Sequence, residues 1–128
     1  MNALIHVPFF LAFAIPQLAS ASSAQELLSE CRAIANADVS SEGIRMQKTF
    51  QTGVCWGTFG TIQTVISHTD DFGRPIYGVC APPSSRLSQL IAIFVTYAEK
   101  NPQRIHEDGF VIAVESLQAA FPCAGRKK

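Results

Sequence analysis

Four cysteines, Cys31, Cys55, Cys80 and Cys123, are the side chains of this sequence with the most specific chemical potential. In an oxidising compartment they could form two disulfides. With His68 and His106 added, they could instead hold zinc. Zinc ligands usually come in closely spaced pairs, whereas these cysteines are separated by intervals of 24, 25 and 43 residues. We therefore expect disulfides and no metal or cofactor.

Two other clusters carry residue types used in catalysis or metal binding. Ser67, His68 and Asp70 are the types found in a hydrolase triad, although a helix end followed by an acidic turn also produces them. The run His106-Glu107-Asp108 could ligate a metal, but acids at a helix start also suit the helix dipole. Phosphate-loop, GxSxG, HExxH and CxxC motifs are all absent. We predict no catalytic residue and a protein that is not an enzyme.

The first 24 residues predict a secretory signal peptide. Residues 3–15 are almost wholly apolar, and two small-residue motifs, Ala19-Ser20-Ala21 and Ser22-Ser23-Ala24, follow. The apolar run is shorter than the roughly 20 residues of a membrane-spanning helix, so we expect no stable membrane span. We predict cleavage after Ala24 and a periplasmic product, with an uncleaved anchor as the alternative.

Charge is balanced along the chain. Ten basic residues match ten acidic ones, which disfavours nucleic acid as a partner. Three of the cations lie in the last three positions, so we interpret residues 124–128 as a flexible basic tail. The body of the protein then carries a mild acidic excess.

The remaining 25–123 segment is long enough for one domain, and its apolar spacing predicts helices. We expect helices over 25–37 and 44–67, a third capped by Ser84 or Ser85, and a fourth running from Asn101-Pro102 to Pro122. A strand is the alternative for 58–66. Gly53, Gly57 and Gly60 are expected to let a neighbouring helix approach, and four aromatic residues are expected to pack in the core: Trp56, Phe94, Phe110 and Phe121.

The predicted fold is all-α, a small disulfide-stapled four-helix bundle of two antiparallel hairpins. Sequence spacing alone allows three cysteine pairings. In the second hairpin, however, Cys80 and Cys123 lie about equally far from the turn at Asn101-Pro102, so antiparallel helices would bring them together. This layout predicts the pairs Cys80–Cys123 and Cys31–Cys55.

A set of short motifs in fixed order gives a family resemblance. It consists of Cys31 in the first helix, Cys55-Trp56-Gly57 with Phe59, Val79-Cys80-Ala81-Pro82, the helix after Ser85, Tyr97 to Pro102, His106, and Phe121-Pro122-Cys123. Over residues 26–123 the chain resembles the Rap/Tai-type bacterial immunity proteins, which are associated with type VI secretion amidase effectors. Thr58 and Thr61 depart from the family pattern, which usually has Tyr and a second Gly there.

The resemblance implies a disulfide-linked, non-catalytic, all-α periplasmic protein. Its partner would be a secreted peptidoglycan amidase, which it binds and blocks, and relatives often form homodimers. The alternative function is a general periplasmic stress or chaperone-like helical protein.

The segment from His68 to Pro83 is the strongest sequence candidate for the partner-binding surface. Loops of this length in small domains are often functional. This one offers aromatic and arginine side chains of the kind found at binding hot spots, and two acids that could face a basic rim. The predicted contact residues are Asp70, Asp71, Phe72, Arg74 and Tyr77. The competing interpretation is that Phe72 and Tyr77 fold back onto the bundle while the acids face water.

Overall fold

The computed structural model describes residues 22–40 and 43–124. Most of the predicted signal peptide (1–24) and of the predicted basic tail (124–128) lies outside the described residues. No helix in the described ranges is both long and apolar enough to cross a membrane.

The described chain is mostly helical, with four α-helices joined by loops, one short β-hairpin and one 3₁₀ turn. In chain order the elements are α1 (Ala24–Ala35), β1 (Asp38–Ser40), β2 (Gly43–Arg45), α2 (Phe50–Ile66), α3 (Leu87–Lys100), the 3₁₀ turn Pro102–Arg104, and α4 (Gly109–Ala120). The two strands pair antiparallel, with Val39 opposite Ile44.

Side-chain caps fix where three of the helices begin. The backbone N–H of Ser23 donates to Glu26 Oε2 at 2.8 Å, and the Glu26 N–H donates back to Ser23 Oγ at 3.3 Å. Thr49 and Thr52 exchange the same pair of bonds before α2. At α4, Asp108 accepts from the Val111 N–H at 3.0 Å, so this acid caps a helix as expected.

All four helices contribute to one core. Its largest fully buried side chains are Phe59, Phe94, Leu27, Ile34, Ile62, Leu90, Ile91, Ile112 and Leu117. The rings of Phe59 and Phe94 lie 5.4 Å apart, centroid to centroid. α1 contacts α2, and α3 contacts α4, as two hairpins require, while α1 also packs extensively against α3. The antiparallel direction within each pair stays a prediction.

Two disulfides cross-link the described chain, one between α1 and α2 and one between the segments that flank the α3–α4 pair. Cys31 is bonded to Cys55 and Cys80 to Cys123, the pairs that the helical layout predicts. The first bridge is 0% exposed at both residues and belongs to the core. The second lies near the surface, with Cys80 exposed and Cys123 half-buried.

Three predicted helix boundaries are wrong. Neither Ser84 nor Ser85 caps the third helix, because α3 begins at Leu87 with Arg86 at the N-cap position and no side-chain cap bond. Residues 44–49 do not start α2, because Gly43–Arg45 pairs as a strand and the Thr49 cap places the first helical residue at Phe50. Asn101-Pro102 starts only a 3₁₀ turn, and α4 begins at Gly109. The expected strand alternative for 58–66 is also wrong, since these residues are helical.

The reason for the late start of α4 is a backbone clamp. We call residues 22–25 the N-terminal strap. Its Ala24 and Gln25 N–H groups each donate at 2.8 Å, to the carbonyls of Glu107 and Ile105 respectively, and the Gly109 N–H donates to Ser22 O at 2.9 Å. These bonds occupy the carbonyls of Ile105 and Glu107 and the N–H of Gly109, which a helix running on from Asn101-Pro102 would have to pair within itself.

The glycines of α2 do not serve helix packing, contrary to the prediction. A Cβ at Gly53, Gly57 or Gly60 would meet no atom within 4 Å. Close approach occurs instead at Gly109, where a Cβ would lie 2.8 Å from Ser22 O. Of these four glycines, Gly109 is the one whose neighbours leave no room for a side chain.

Candidate functional site

The loop over residues 68–78 is folded by one carboxylate. Asp70 Oδ1 accepts the backbone N–H groups of Phe72 and Arg74, both at 2.9 Å, and Oδ2 accepts Arg74 Nε at 2.8 Å. Such aspartate-to-backbone bonds replace the regular ladder that a short turn lacks. Gly73, with φ of 73°, supplies the left-handed residue that reverses the chain.

Electrostatics strengthen this arrangement. The pKa of Asp70 lies below its ordinary value, first because the Arg74 N–H donates to it, and further because of the Arg74 side chain and the Phe72 N–H. Asp70 is therefore charged throughout the neutral range and committed to the loop itself. The predicted contact of Asp70 with a partner stays a prediction, as does that of Asp71, which is exposed.

Phe72 stands at the tip of the loop and is 82% exposed. The guanidinium carbon of Arg74 lies 5.0 Å from the centroid of its ring, within cation–π range. Asp70 holds Arg74, and Arg74 in turn faces Phe72. An apolar ring is thus oriented toward solvent by its own loop instead of folding back onto the bundle.

The other end of the loop is fastened to α4. Gln118 Nε2 donates to the Tyr77 carbonyl at 2.6 Å, and the Tyr77 ring packs edge-on against Phe110 with centroids 6.2 Å apart. Beyond Tyr77, the Cys80 N–H donates to Phe121 O, next to the Cys80–Cys123 disulfide. A cleft of about 550 Å³ separates the loop from this disulfide.

Exposed apolar side chains occur both on the loop and at the start of α4, two segments that Tyr77 and Phe110 bring into contact. We call the loop–α4 surface the set formed by Phe72, Ile76, Tyr77, Phe110 and Val111, all of which are large and exposed. Tyr77 and Phe110 connect its two halves through their ring contact. Large contiguous apolar patches on soluble proteins often mark binding sites, which makes this surface a candidate.

Sequence reasoning found part of this surface. It named Phe72, Arg74 and Tyr77, but it did not name Ile76 or Val111 and placed Phe110 in the core. That placement is wrong, because the buried face of α4 is formed by Ile112, Ala113, Val114, Ser116 and Leu117. Apolar residues surround α4 almost completely, so its periodicity does not reveal which face is exposed.

The residues that resembled catalytic or metal sites have other uses. Ser67 Oγ donates to Thr64 O at 2.6 Å, and His68 Nδ1 lies 2.8 Å from that same carbonyl, while Asp70 binds Arg74. Within residues 22–40 and 43–124, no three His, Cys, Asp or Glu side chains are grouped to hold a metal.

Next to His106, Glu107 forms a salt bridge with Arg104. Arg104 donates to both oxygens of Glu107 and also to Glu115, which raises the pKa of Arg104 and lowers that of Glu107. This cluster joins the 3₁₀ turn to α4 and is structural.

Comparison with known proteins settles the family. A family model described as Rap1a immunity proteins matches residues 23–123, a range that includes all four helices and both disulfides. The chain belongs to the Rap1a immunity protein family. Searches of curated proteins and of solved structures each give no match. Membership in this family implies a role in immunity and a partner protein, the effector.

Proposed function

We propose that this Rap1a-family chain is exported to the periplasm, where it binds a secreted peptidoglycan amidase and blocks it. The observation that carries the proposal is the family match over residues 23–123. Amidase effectors are the partners that the sequence resemblance implies, and the peptidoglycan they cleave lies outside the cytoplasm. A protein that guards against them must act there.

Two features of the chain favour that compartment. Residues 1–24 have the composition of a signal peptide. All four cysteines of the chain are paired in disulfides, which persist in oxidising compartments and are rare in the cytosol.

The loop–α4 surface is the best candidate for the contact with the effector. Aromatic side chains that are already oriented lose little conformational freedom on binding, so they act as anchors. Phe72 meets this condition through Arg74, and Tyr77 meets it through Phe110. The protein would act by covering the amidase, with no chemical step of its own.

Calorimetry and a peptidoglycan-hydrolysis assay with candidate secreted peptidoglycan amidases test the proposal. The oxidised, exported protein should bind with a defined stoichiometry and abolish hydrolysis of peptidoglycan. Phe72→Ala should weaken binding at least about 30-fold, as hot-spot truncations of about 2 kcal/mol do. Phe50→Ala is the matched control, because Phe50 is also exposed (79%) but lies at the start of α2, away from the loop.

The possible outcomes test the assigned binding surface separately from the proposed inhibitory function. Equal losses for Phe72→Ala and Phe50→Ala would contradict the assignment of the surface while leaving immunity intact. Binding without loss of amidase activity would contradict inhibition. Binding of unfolded proteins, with no binding of the amidase, would favour the chaperone-like alternative.

A further inference from the structure

The N-terminal strap decides between two processing sites that the sequence leaves equivalent. Signal peptidases cut after a small-x-small motif, and both Ala19-Ser20-Ala21 and Ser22-Ser23-Ala24 fit that rule. Cleavage after Ala24, the sequence-based prediction, would leave Gln25 as the first residue. Cleavage after Ala21 would leave Ser22.

Removal of residues 22–24 would take away groups that the fold uses. Ser22 O is the acceptor for the Gly109 N–H at 2.9 Å, and the Ala24 N–H donates to Glu107 O at 2.8 Å. Ser23 provides the cap of α1 and also bridges to Asp108. Ala24 itself is fully buried.

Loss of residues 22–24 would remove hydrogen bonds at the starts of both α1 and α4. Without Ser23, the Glu26 N–H loses its acceptor and the Glu26 carboxylate loses its donor. Without Ser22, the first backbone N–H of α4 loses its partner next to Phe110 and Val111 of the loop–α4 surface. Gly109 lacks a Cβ and so leaves room for the carbonyls of Ser22 and Ser23. The start of α4 is therefore packed directly against these two residues.

We propose that the mature protein begins at Ser22, through cleavage of the Ala21–Ser22 peptide bond by the signal peptidase of the exporting cell. The step consumes one water molecule. Its hydroxyl is added to the carbonyl carbon of Ala21, and its proton goes to the nitrogen of Ser22. The fold holds Ser22 through its carbonyl oxygen, which this hydrolysis leaves in place.

The inference rests on the export that the proposed function requires, and mass spectrometry distinguishes the two. The full chain is expressed in a Gram-negative host, purified separately from the periplasmic and cytoplasmic fractions, and analysed for intact mass and for its N-terminal peptide. The expected N-terminus is Ser22. A chain that begins at Gln25 would overturn the inference while confirming export, whereas an unprocessed cytoplasmic chain would contradict export itself.

A pair of substitutions supplies matched controls. Ala21→Leu places a large residue directly before the proposed cleavage site and should stop release of the chain that begins at Ser22. Ser22→Leu disrupts only the motif that ends at Ala24, and it should leave processing after Ala21 unchanged. The reverse pattern would assign cleavage to Ala24.

Deletion of residues 22–24 from the precursor tests why the strap must be retained. Cleavage after Ala21 then yields a mature chain that begins at Gln25. Its thermal midpoint should lie at least about 4 °C below that of the chain that begins at Ser22. Equal midpoints would overturn the structural reason for the assignment.

Discussion

Replacement of Gly109 by alanine tests the clamp between the N-terminal strap and α4. A Cβ at this position would lie 2.8 Å from Ser22 O, 3.2 Å from Ser23 O and 3.3 Å from Leu27 Cβ. Two of these three neighbours are backbone atoms, which cannot move aside by a change of rotamer. The strap itself would have to shift, with strain on the Gly109 N–H bond to Ser22 O.

Opposing effects set the magnitude. Forcing an extra carbon into a packed site costs about 1–3 kcal/mol. Alanine is preferred over glycine in helices by roughly 0.5–1 kcal/mol, which offsets part of that cost. We therefore expect Gly109→Ala to lower the free energy of unfolding by about 1–2 kcal/mol, with a fall in the thermal midpoint of roughly 5–10 °C.

Gly57→Ala is the matched control, measured by the same calorimetric and urea unfolding experiments. A Cβ at Gly57 meets no atom within 4 Å, so only the helix preference acts, and this variant should be more stable by about 0.5–1 kcal/mol. Opposite signs for the two variants are the predicted result. If Gly109→Ala proved as stable as the unmodified protein, the clamp would not have the tight packing described above.

Three further predictions concern charge and the exposed disulfide. Arg104 lowers the folded-state pKa of Glu107, so the ionised Glu107 stabilises the fold above pH 4.5 and this stabilisation is lost as the pH falls through the lowered pKa. In urea unfolding across this pH range, the free energy of unfolding should therefore fall less for Glu107→Gln than for the unmodified protein. Burial and the nearby Glu26 raise the pKa of Glu30, and its Oε2 has no hydrogen-bond partner in the described structure. Glu30→Gln should therefore raise the thermal midpoint at pH 7, and this gain should disappear at lower pH, where Glu30 of the unmodified protein is protonated. An unchanged midpoint at pH 7 would contradict this. Mild reductant followed by alkylation and peptide mapping should label Cys80 and Cys123 before the cysteines of the buried bridge, because the second disulfide is the more exposed. Loss of this cross-link, which spans 43 residues, should lower the free energy of unfolding by about 4 kcal/mol on the chain-entropy model. Simultaneous labelling of both bridges would contradict the difference in exposure.

The sequence predicts the helices well where local signals and burial agree. α1 and α3 each present one apolar stripe to the core, and their predicted extents lie close to those observed. The start of α2 is marked by Thr49 and Thr52, a less common capping pair than Ser or Thr followed by Glu, so the helix was extended too far toward the N-terminus.

The start of α4 depends on contacts distant in sequence. Asn101-Pro102 is a valid helix start by local rules, yet the carbonyls of Ile105 and Glu107 are used by the N-terminal strap, about 80 residues earlier in the chain. No local pattern reveals that pairing. The same limit explains Phe110, since an all-apolar helix segment shows its exposed face only once its neighbours are placed.

The candidate surface was predictable as a loop and only in part as a surface. The turn-forming residues of 68–78 predict an irregular segment, and its aromatic side chains are of the type found in protein-binding surfaces. The role of Asp70 as the organiser of the loop, with Arg74 as its partner, follows from atomic distances that residue types do not supply.

Protection of living cells tests the central claim most directly. A secreted peptidoglycan amidase that binds this chain in calorimetry is directed to the periplasm of a sensitive Gram-negative host, and cell lysis is followed with and without the full chain. We predict that the full chain prevents lysis, that Phe50→Ala protects equally, and that a chain combining Phe72→Ala and Tyr77→Ala, checked to be folded, does not. Lysis that proceeds unchanged in the presence of the full, exported and oxidised chain would contradict the account.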